Sequence, residues 1–165
     1  MESNWKTIPA SLSEPKFRPL FVLQLQVAPA VSVGTTASGP KRVAVVKGGR
    51  VTSDIPGLTG TVHPGGSDWL TEKGDGSLHL DARIVLETSG GDQILMAYTG
   101  IRHGSVSVMR DLAAGKELPP DSYYFRISPR FETASQPLDW LNRVVAFGIG
   151  QRLADGVRYS LFEVS

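Results

Sequence analysis

The sequence predicts an all-β protein, a small antiparallel up-and-down barrel with one or two short helical turns. Three observations predict it. Apolar and polar residues alternate at a period of two through Ser77 to Arg102, the spacing that places one set of side chains on each face of a strand. Turn-forming residues recur at short intervals, with 18 glycines and 11 prolines in 165 residues, which favours many short strands joined by tight turns over long helices. Several strands also carry a polar face opposite an apolar one. Closure into a barrel suits that pattern, because it removes exposed strand edges and encloses an interior that side chains or one small ligand can fill.

Taken in order, residues 1–18 are polar, broken by Pro9 and Pro15, and read as a flexible N-terminal arm. Residues 19–165 then form one barrel domain, of a size that can bury a real core. Phe21, Leu23, Leu25 and Val27 alternate with Val22, Gln24 and Gln26, a first strand with one apolar face. Val33 to Lys41 reads as a loop of small residues, and Arg42–Lys47 and Arg50–Asp54 as a hairpin turning at Gly48–Gly49. The glycine-rich stretch from Ile55 to Ser77 reads as one long loop, a feature more often functional than connective.

The firmest element is the central hairpin. Leu78, Leu80, Ala82, Ile84 and Leu86 share one face of its first strand, His79, Asp81, Arg83 and Glu87 share the other, and Ser89–Asp92 reverses the chain. Met109–Leu118 offers one or two helical turns stopped by Gly115 and closed by Pro119–Pro120. Tyr123–Ile127 is a strand by its aromatic content, bent at Pro129 and continued by Arg130–Thr133. Pro137–Asn142 suits a short helical turn with proline at its start, and Val144–Gln151 and Val157–Val164 complete a set of roughly eight to ten strands.

Composition excludes several functions. The formal net charge is +1 with basic residues scattered singly, which gives no footprint for a nucleic-acid backbone. There is no cysteine, hence no thiolate nucleophile, disulfide or iron–sulfur cluster. The N-terminus lacks the apolar core of a signal peptide and no apolar run is long enough to span a bilayer, so the expectation is a soluble cytoplasmic protein that binds no membrane. Phosphate loops of the GxxxxGK type, GxGxxG, GxSxG and HExxH are all missing. The three histidines, His63, His79 and His103, are isolated, and no metal site is expected.

What remains is a set of charged and aromatic residues placed within strands. Asp81 and Arg83, two apart on one face, are the leading candidates for an acid–base and polarising pair, with Asp68 and Glu132 as further catalytic carboxylates. Trp69, Tyr98, Arg102, Tyr124, Arg126, Trp140 and Asn142 are candidate substrate-binding residues. Inside a small barrel a carboxylate must be paired, hydrogen-bonded or neutral, and a carboxyl group so perturbed can serve as general acid or base. If the Asp81 face looks outward instead, the two form a surface ion pair worth less than about 1 kcal/mol. Leu80 and Ile84 suit either of two uses, covering a second copy in a homo-oligomer or filling the core.

Three blocks, PGGSDWLTEKGDGSLHLDARIVLET, YYFRISPRFET and PLDWLNRVVAFGIGQR, resemble in order and spacing the signature blocks of the domain of unknown function 3237, also known as uncharacterised protein family 0311. The resemblance runs from Leu20 to Val164. It implies a small antiparallel barrel similar to streptavidin and the lipocalins. It also implies a link to fungal aromatic polyketide pathways, where relatives are associated with stereoselective ring closure, a phenolic hydroxyl adding across a prenyl double bond. Such chemistry needs no metal or redox cofactor, but a dry pocket, an acid and a group to hold the phenol. The expected function is a cofactor-independent cyclase or isomerase acting on a small aromatic molecule in the lumen. The alternative is a non-catalytic small-molecule-binding barrel.

Overall fold

The computed structural model describes Trp5 and residues 7–165; the part of the predicted arm at residues 1–4 and 6 lies outside the described residues. Among these, ten strands run in chain order: β1 (Phe17–Val27), β2 (Val31–Thr36), β3 (Gly39–Thr52), β4 (Gly60–Val62), β5 (Ser67–Glu72), β6 (Leu78–Thr88), β7 (Gln93–His103), β8 (Tyr124–Thr133), β9 (Val145–Leu153) and β10 (Gly156–Val164). The helices are α1 (Ala10–Ser13) and α2 (Val106–Ala113), with two further 3-10 turns at Pro120–Ser122 and Asp139–Arg143.

All pairings are antiparallel, and neighbours run β1-β10-β9-β8-β7-β6-β4-β3, with β1 also pairing β3 to close the ring. Because β4 and β5 occupy successive stretches between β3 and β6, the closed barrel has eight strand positions. β2 pairs with the first part of β3 alone and extends the sheet beyond the ring.

Several sequence expectations shift. Gly48–Gly49 does not turn the chain: β3 runs through it, and the glycines mark where the strand changes neighbours from β2 and β5 to β1 and β4. A Cβ on Gly49 would lie 2.3 Å from the Gln24 carbonyl oxygen, so the close approach of β1 requires glycine there. The loop expected at Val33 to Lys41 contains most of β2 and the start of β3, and the long loop at Ile55 to Ser77 contains β4 and β5. Phe17 and Arg18, assigned to the arm, already pair in β1 with Val164 and Glu163. β8 passes through Pro129 as one strand. The central hairpin is as expected, β6 against β7 from Leu78↔Arg102 to Glu87↔Gln93.

The two barrel ends differ. At the end carrying the β6–β7 turn, Leu58, Leu138 and Leu141 are buried in the core, and Phe21 meets Phe131 edge to face at 5.8 Å. Large side chains thus fill that half. At the opposite end the inward residues become small or polar, and α2 lies across the opening. Ser105 caps α2 by accepting a hydrogen bond from the Val108 N–H, and Leu112 is its buried residue.

Candidate functional site

The inward face of the sheet is decided by hydrocarbon. Leu80, Ala82, Ile84 and Leu86 are each no more than 5% exposed, and turning them outward would forfeit about 1.5–3 kcal/mol for each large side chain. That choice sends Asp81 and Arg83 outward. Their side chains are 57% and 65% exposed and meet at 3.4 Å, the arrangement of a solvated surface pair. The expectation that these two line the lumen is therefore corrected. With them goes the case for Leu80 and Ile84 as a partner-facing patch, since both are buried within the single chain.

The same alternation brings another carboxylate in. On β5 Asp68 and Leu70 face inward while Trp69 faces out, 53% exposed, its indole N–H donating to Ser67 Oγ at 3.0 Å. Across the sheet, Ala44, Asp68, Ala82, Tyr98 and Pro129 fall on one rung. Tyr98, Gly100 and Arg102 are successive inward positions of β7, and Tyr98 and Arg102 are buried. Tyr159 enters from β10, with its ring 5.5 Å from Tyr98 and 5.3 Å from Phe125. The Arg102 guanidinium lies 5.3 Å from the Phe125 ring centroid, a cation over an aromatic face.

Asp68 is 8% exposed, its Oδ1 has no hydrogen-bond partner, and it makes no ion pair among the described residues. Burial raises its carboxyl to about 7, against a weaker opposing pull from the Arg102 charge. Arg102 is equally buried, and its Nε is also unpartnered. Desolvation lowers its pKa, and the Arg152 and Arg42 charges push the same way. Tyr98 and Tyr159 are held as neutral phenols, each pushed up chiefly by burial, and the Tyr159 hydroxyl has no partner of ordinary hydrogen-bond geometry.

Asp68 and Arg102 border a cavity of about 670 Å³ at the open end, walled by apolar residues including Ala44, Leu70, Leu80, Leu112 and Val157, with Arg42, Arg152 and Asp155 completing its charged lining; Tyr98 and Tyr159 lie behind that lining. That is the size and character of a small-molecule site, largely apolar with a few convergent polar groups. Arg152 is fixed by its own surroundings: its Nη1 donates to the Leu153 and Gly156 carbonyls and its backbone N–H to the Tyr123 hydroxyl.

Of the residues singled out from sequence, Asp68, Tyr98 and Arg102 come together here. The others do not. Glu132 is exposed on the outer face. Tyr124 is 44% exposed, stacked on His103 at 4.9 Å, with the Arg126 guanidinium 4.9 Å from its ring centroid. Trp140 packs half-buried under Arg18 at 4.8 Å. Asn142 clamps the end of β8, accepting from the Thr133 N–H at 2.8 Å and donating to its carbonyl at 3.0 Å. Sequence reasoning missed Arg42, Arg152 and Tyr159. Arg42 and Tyr159 stand at alternating inward positions of strands, a signal present in the pattern but interpretable once the inward face is known.

Among the described residues no group of three His, Asp or Glu side chains is arranged to hold a metal ion. No helix among them is long and apolar enough to cross a membrane.

The fold is that of a small closed antiparallel β-barrel, and a solved structure from Acinetobacter baumannii described as a beta-barrel like protein superposes with a TM-score of 0.79 at 34% identity, over 92% of this chain and 96% of that one. A family model described as protein of unknown function DUF3237 matches residues 15–164, and the chain belongs to that family. A UPF0311 protein from Bradyrhizobium diazoefficiens is 31% identical over 145 residues, covering 88% of this chain and 93% of the relative. The crystal structure of a conserved protein of unknown function from Rhodopseudomonas palustris superposes with a TM-score of 0.88 at 29% identity, over 92% of this chain and 98% of that one. The same barrel recurs in an enzyme from Penicillium herquei, with a TM-score of 0.68 at 23% identity, over 92% and 95% of the two chains.

Proposed function

We propose that the protein is an enzyme that binds a small aromatic metabolite in the open half of the barrel and isomerises it by proton transfer, as a stereoselective cyclase or isomerase. Asp68 is the general acid–base. The observation that carries this reading is the state of that carboxyl: buried, unpartnered at Oδ1, raised to about 7 and bordering an apolar cavity. A carboxylic acid of that pKa is partly protonated at neutral pH and can both give and take a proton.

In ring closure of the hydroalkoxylation type, Asp68 gives its proton to one carbon of the substrate double bond. The phenolic oxygen forms a bond to the other carbon, and the phenolic proton returns to the carboxylate. Nothing is oxidised or reduced, and product and substrate are isomers. The apolar walls exclude water that would intercept the cation, and the enclosed shape fixes which face is attacked. The barrel shared with the Penicillium herquei enzyme is compatible with this use of the fold, but function rests on the site.

The test is incubation with a fused-ring phenol that carries an ortho 1,1-dimethylallyl (reverse-prenyl) group, followed by chiral chromatography. The expected result is a dihydrobenzofuran with one enantiomer in excess, lost in Asp68→Asn. Substrate recovered unchanged from a saturable complex would replace this reading with that of a non-catalytic binding barrel.

A further inference from the structure

Arg42 borders two cavities. One is the 670 Å³ chamber that contains Asp68. The other, about 300 Å³, lies on the far side of α2 against Leu78, Val106 and Met109. Arg102 borders both as well, so the two guanidinium groups stand at the junction beneath the helix. They are close enough that the charge of Arg42 depresses the pKa of Arg102.

The charges around them do not cancel. Asp68 is the one carboxylate within the chamber proper that is buried, and it is half neutral near pH 7. Asp155 lies at the rim beside Arg152 and supports that charge. Glu72 and Asp75 line the smaller chamber but neither forms an ion pair with Arg42 or Arg102, and Asp75 is engaged by the Ser77 N–H at 2.9 Å and the Ser77 hydroxyl at 2.6 Å. Arg42 itself forms no ion pair among the described residues. Buried guanidinium groups are ordinarily paired, because an uncompensated charge in an apolar surround is costly. A guanidinium with no carboxylate of its own chain, aimed into a cavity, is suited to an anion carried by a ligand.

Resting on the reading of this chamber as the ligand site, we infer that Arg42 and Arg102 form an anion clamp, and that the physiological ligand is an aromatic acid. It carries a planar two-oxygen anion, a carboxylate or a delocalised enolate, separate from the centre that reacts at Asp68. The anion sits at the junction under α2, where two forked donors can each offer paired N–H groups. The ring system then extends along Leu70, Leu80 and Val157 towards Asp68. The clamp fixes which end of the molecule enters first and so which bond meets the acid.

The test compares two neutral-pH probes of the same shape, 1-naphthoate and 1-naphthamide, by calorimetry on the full chain. Naphthoate is expected to bind roughly 10- to 100-fold more tightly, the worth of a hydrogen bond to a charged group. Arg42→Gln and Arg102→Gln should each erase that preference while leaving naphthamide affinity unchanged, and Arg158→Gln, exposed on the outer face of β10, should preserve it. Since Arg102 is buried and its variant can fail to fold, Arg42→Gln at a half-buried position carries the test independently. Equal affinities, or measurable affinity for neither probe, overturn the clamp. Neither probe carries a prenyl group, so the comparison is independent of turnover: a clamp that discriminates in a protein that closes no ring sinks the cyclase reading alone.

Discussion

Asp68 and Arg102 border one cavity from neighbouring regions of the barrel wall without closing an ion pair, and each keeps a buried polar atom unpartnered. A direct bridge would drive the carboxyl below its ordinary range. Here desolvation outweighs the attraction and leaves it near 7. The site therefore holds both a protonatable carboxyl and a cation that no carboxylate bridges.

Stability should carry the signature of that carboxyl. Its folded-state value of about 7 exceeds the ordinary 3.8, so between those values the native state binds a proton that the unfolded chain has released. The contribution of Asp68 is thus most favourable at low pH, declines as pH rises from about 4 to about 7 by up to about 1.4 kcal/mol per unit, and is constant above that. Asp68→Asn removes the penalty. Its thermal midpoint should exceed that of the native protein by about 4 °C or more at pH 8, and the difference should shrink towards zero only below about pH 4, under the ordinary value of 3.8. A destabilised variant at pH 8 would show that the ionised carboxylate is held by a favourable partner.

The two carboxylates differ by a register step and should differ in consequence. Asp68→Asn is expected to lower ring closure by about 10²- to 10⁴-fold, the range of a lost general acid–base. Asp81→Asn, which removes one member of an exposed pair, should leave turnover intact and stability within about 0.5 kcal/mol. Parallel progress curves and denaturant titrations separate the two. Loss of activity in Asp81→Asn with Asp68→Asn unaffected would move the chemistry to the outer face.

That contrast marks where the sequence is legible. Alternation in β6 and β7 locates the hairpin to the residue, because both faces are consistent over their whole length. It does not say which face is enclosed: the charged face of β6 attracts a chemical reading, while the hydrocarbon face wins the interior. β5 escaped detection because Gly65–Gly66 before it and Lys73–Gly76 after it carry turn chemistry that masks six extended residues. Tyr98 and Arg102 were within reach as strand-borne polar residues, and Asp68 through the GGSDW block that resembles the family's signature. Arg42, Arg152 and Tyr159 were not, since barrel closure joins β3, β9 and β10 to the site from distant parts of the chain, and the alternation that carries Arg42 and Tyr159 does not say which face is enclosed.

Glycine at 150 supports the site from behind. A Cβ there would lie 2.6 Å from the Phe125 ring, and Phe125 is fully buried, with Tyr159 on one side and the Arg102 guanidinium over it. Gly150→Ala must displace the ring. Overpacking of this kind costs about 1–3 kcal/mol, and the same displacement shifts Arg102. Chemical denaturation should show the loss, and naphthoate should bind more weakly in proportion to the disturbance of Arg102 while naphthamide is little changed. An unaltered denaturation midpoint would mean that the barrel wall relaxes freely at β9.

Leu112 tests whether α2 behaves as a separable cover. It is 1% exposed and is the buried residue of the helix, whereas Val106 on the first turn is 87% exposed. The helix is therefore held over the mouth by Leu112, with Val108 and Met109 half-buried against the same core, between Gly104 at its start and Gly115, with φ of +82°, just past its end. Leu112→Ala removes packing worth about 2–5 kcal/mol in a rigid core. If α2 opens on its own, that loss falls on the helix and not on the barrel, because a locally unfolding unit responds to its own contacts. Amide exchange in residues 106–114 should accelerate by about 30-fold or more while exchange in β6 and β7 stays near its native rate, and naphthoate should dissociate faster. Uniform acceleration across helix and strands would instead show that α2 unfolds with the barrel, and that ligand reaches Asp68 by another route.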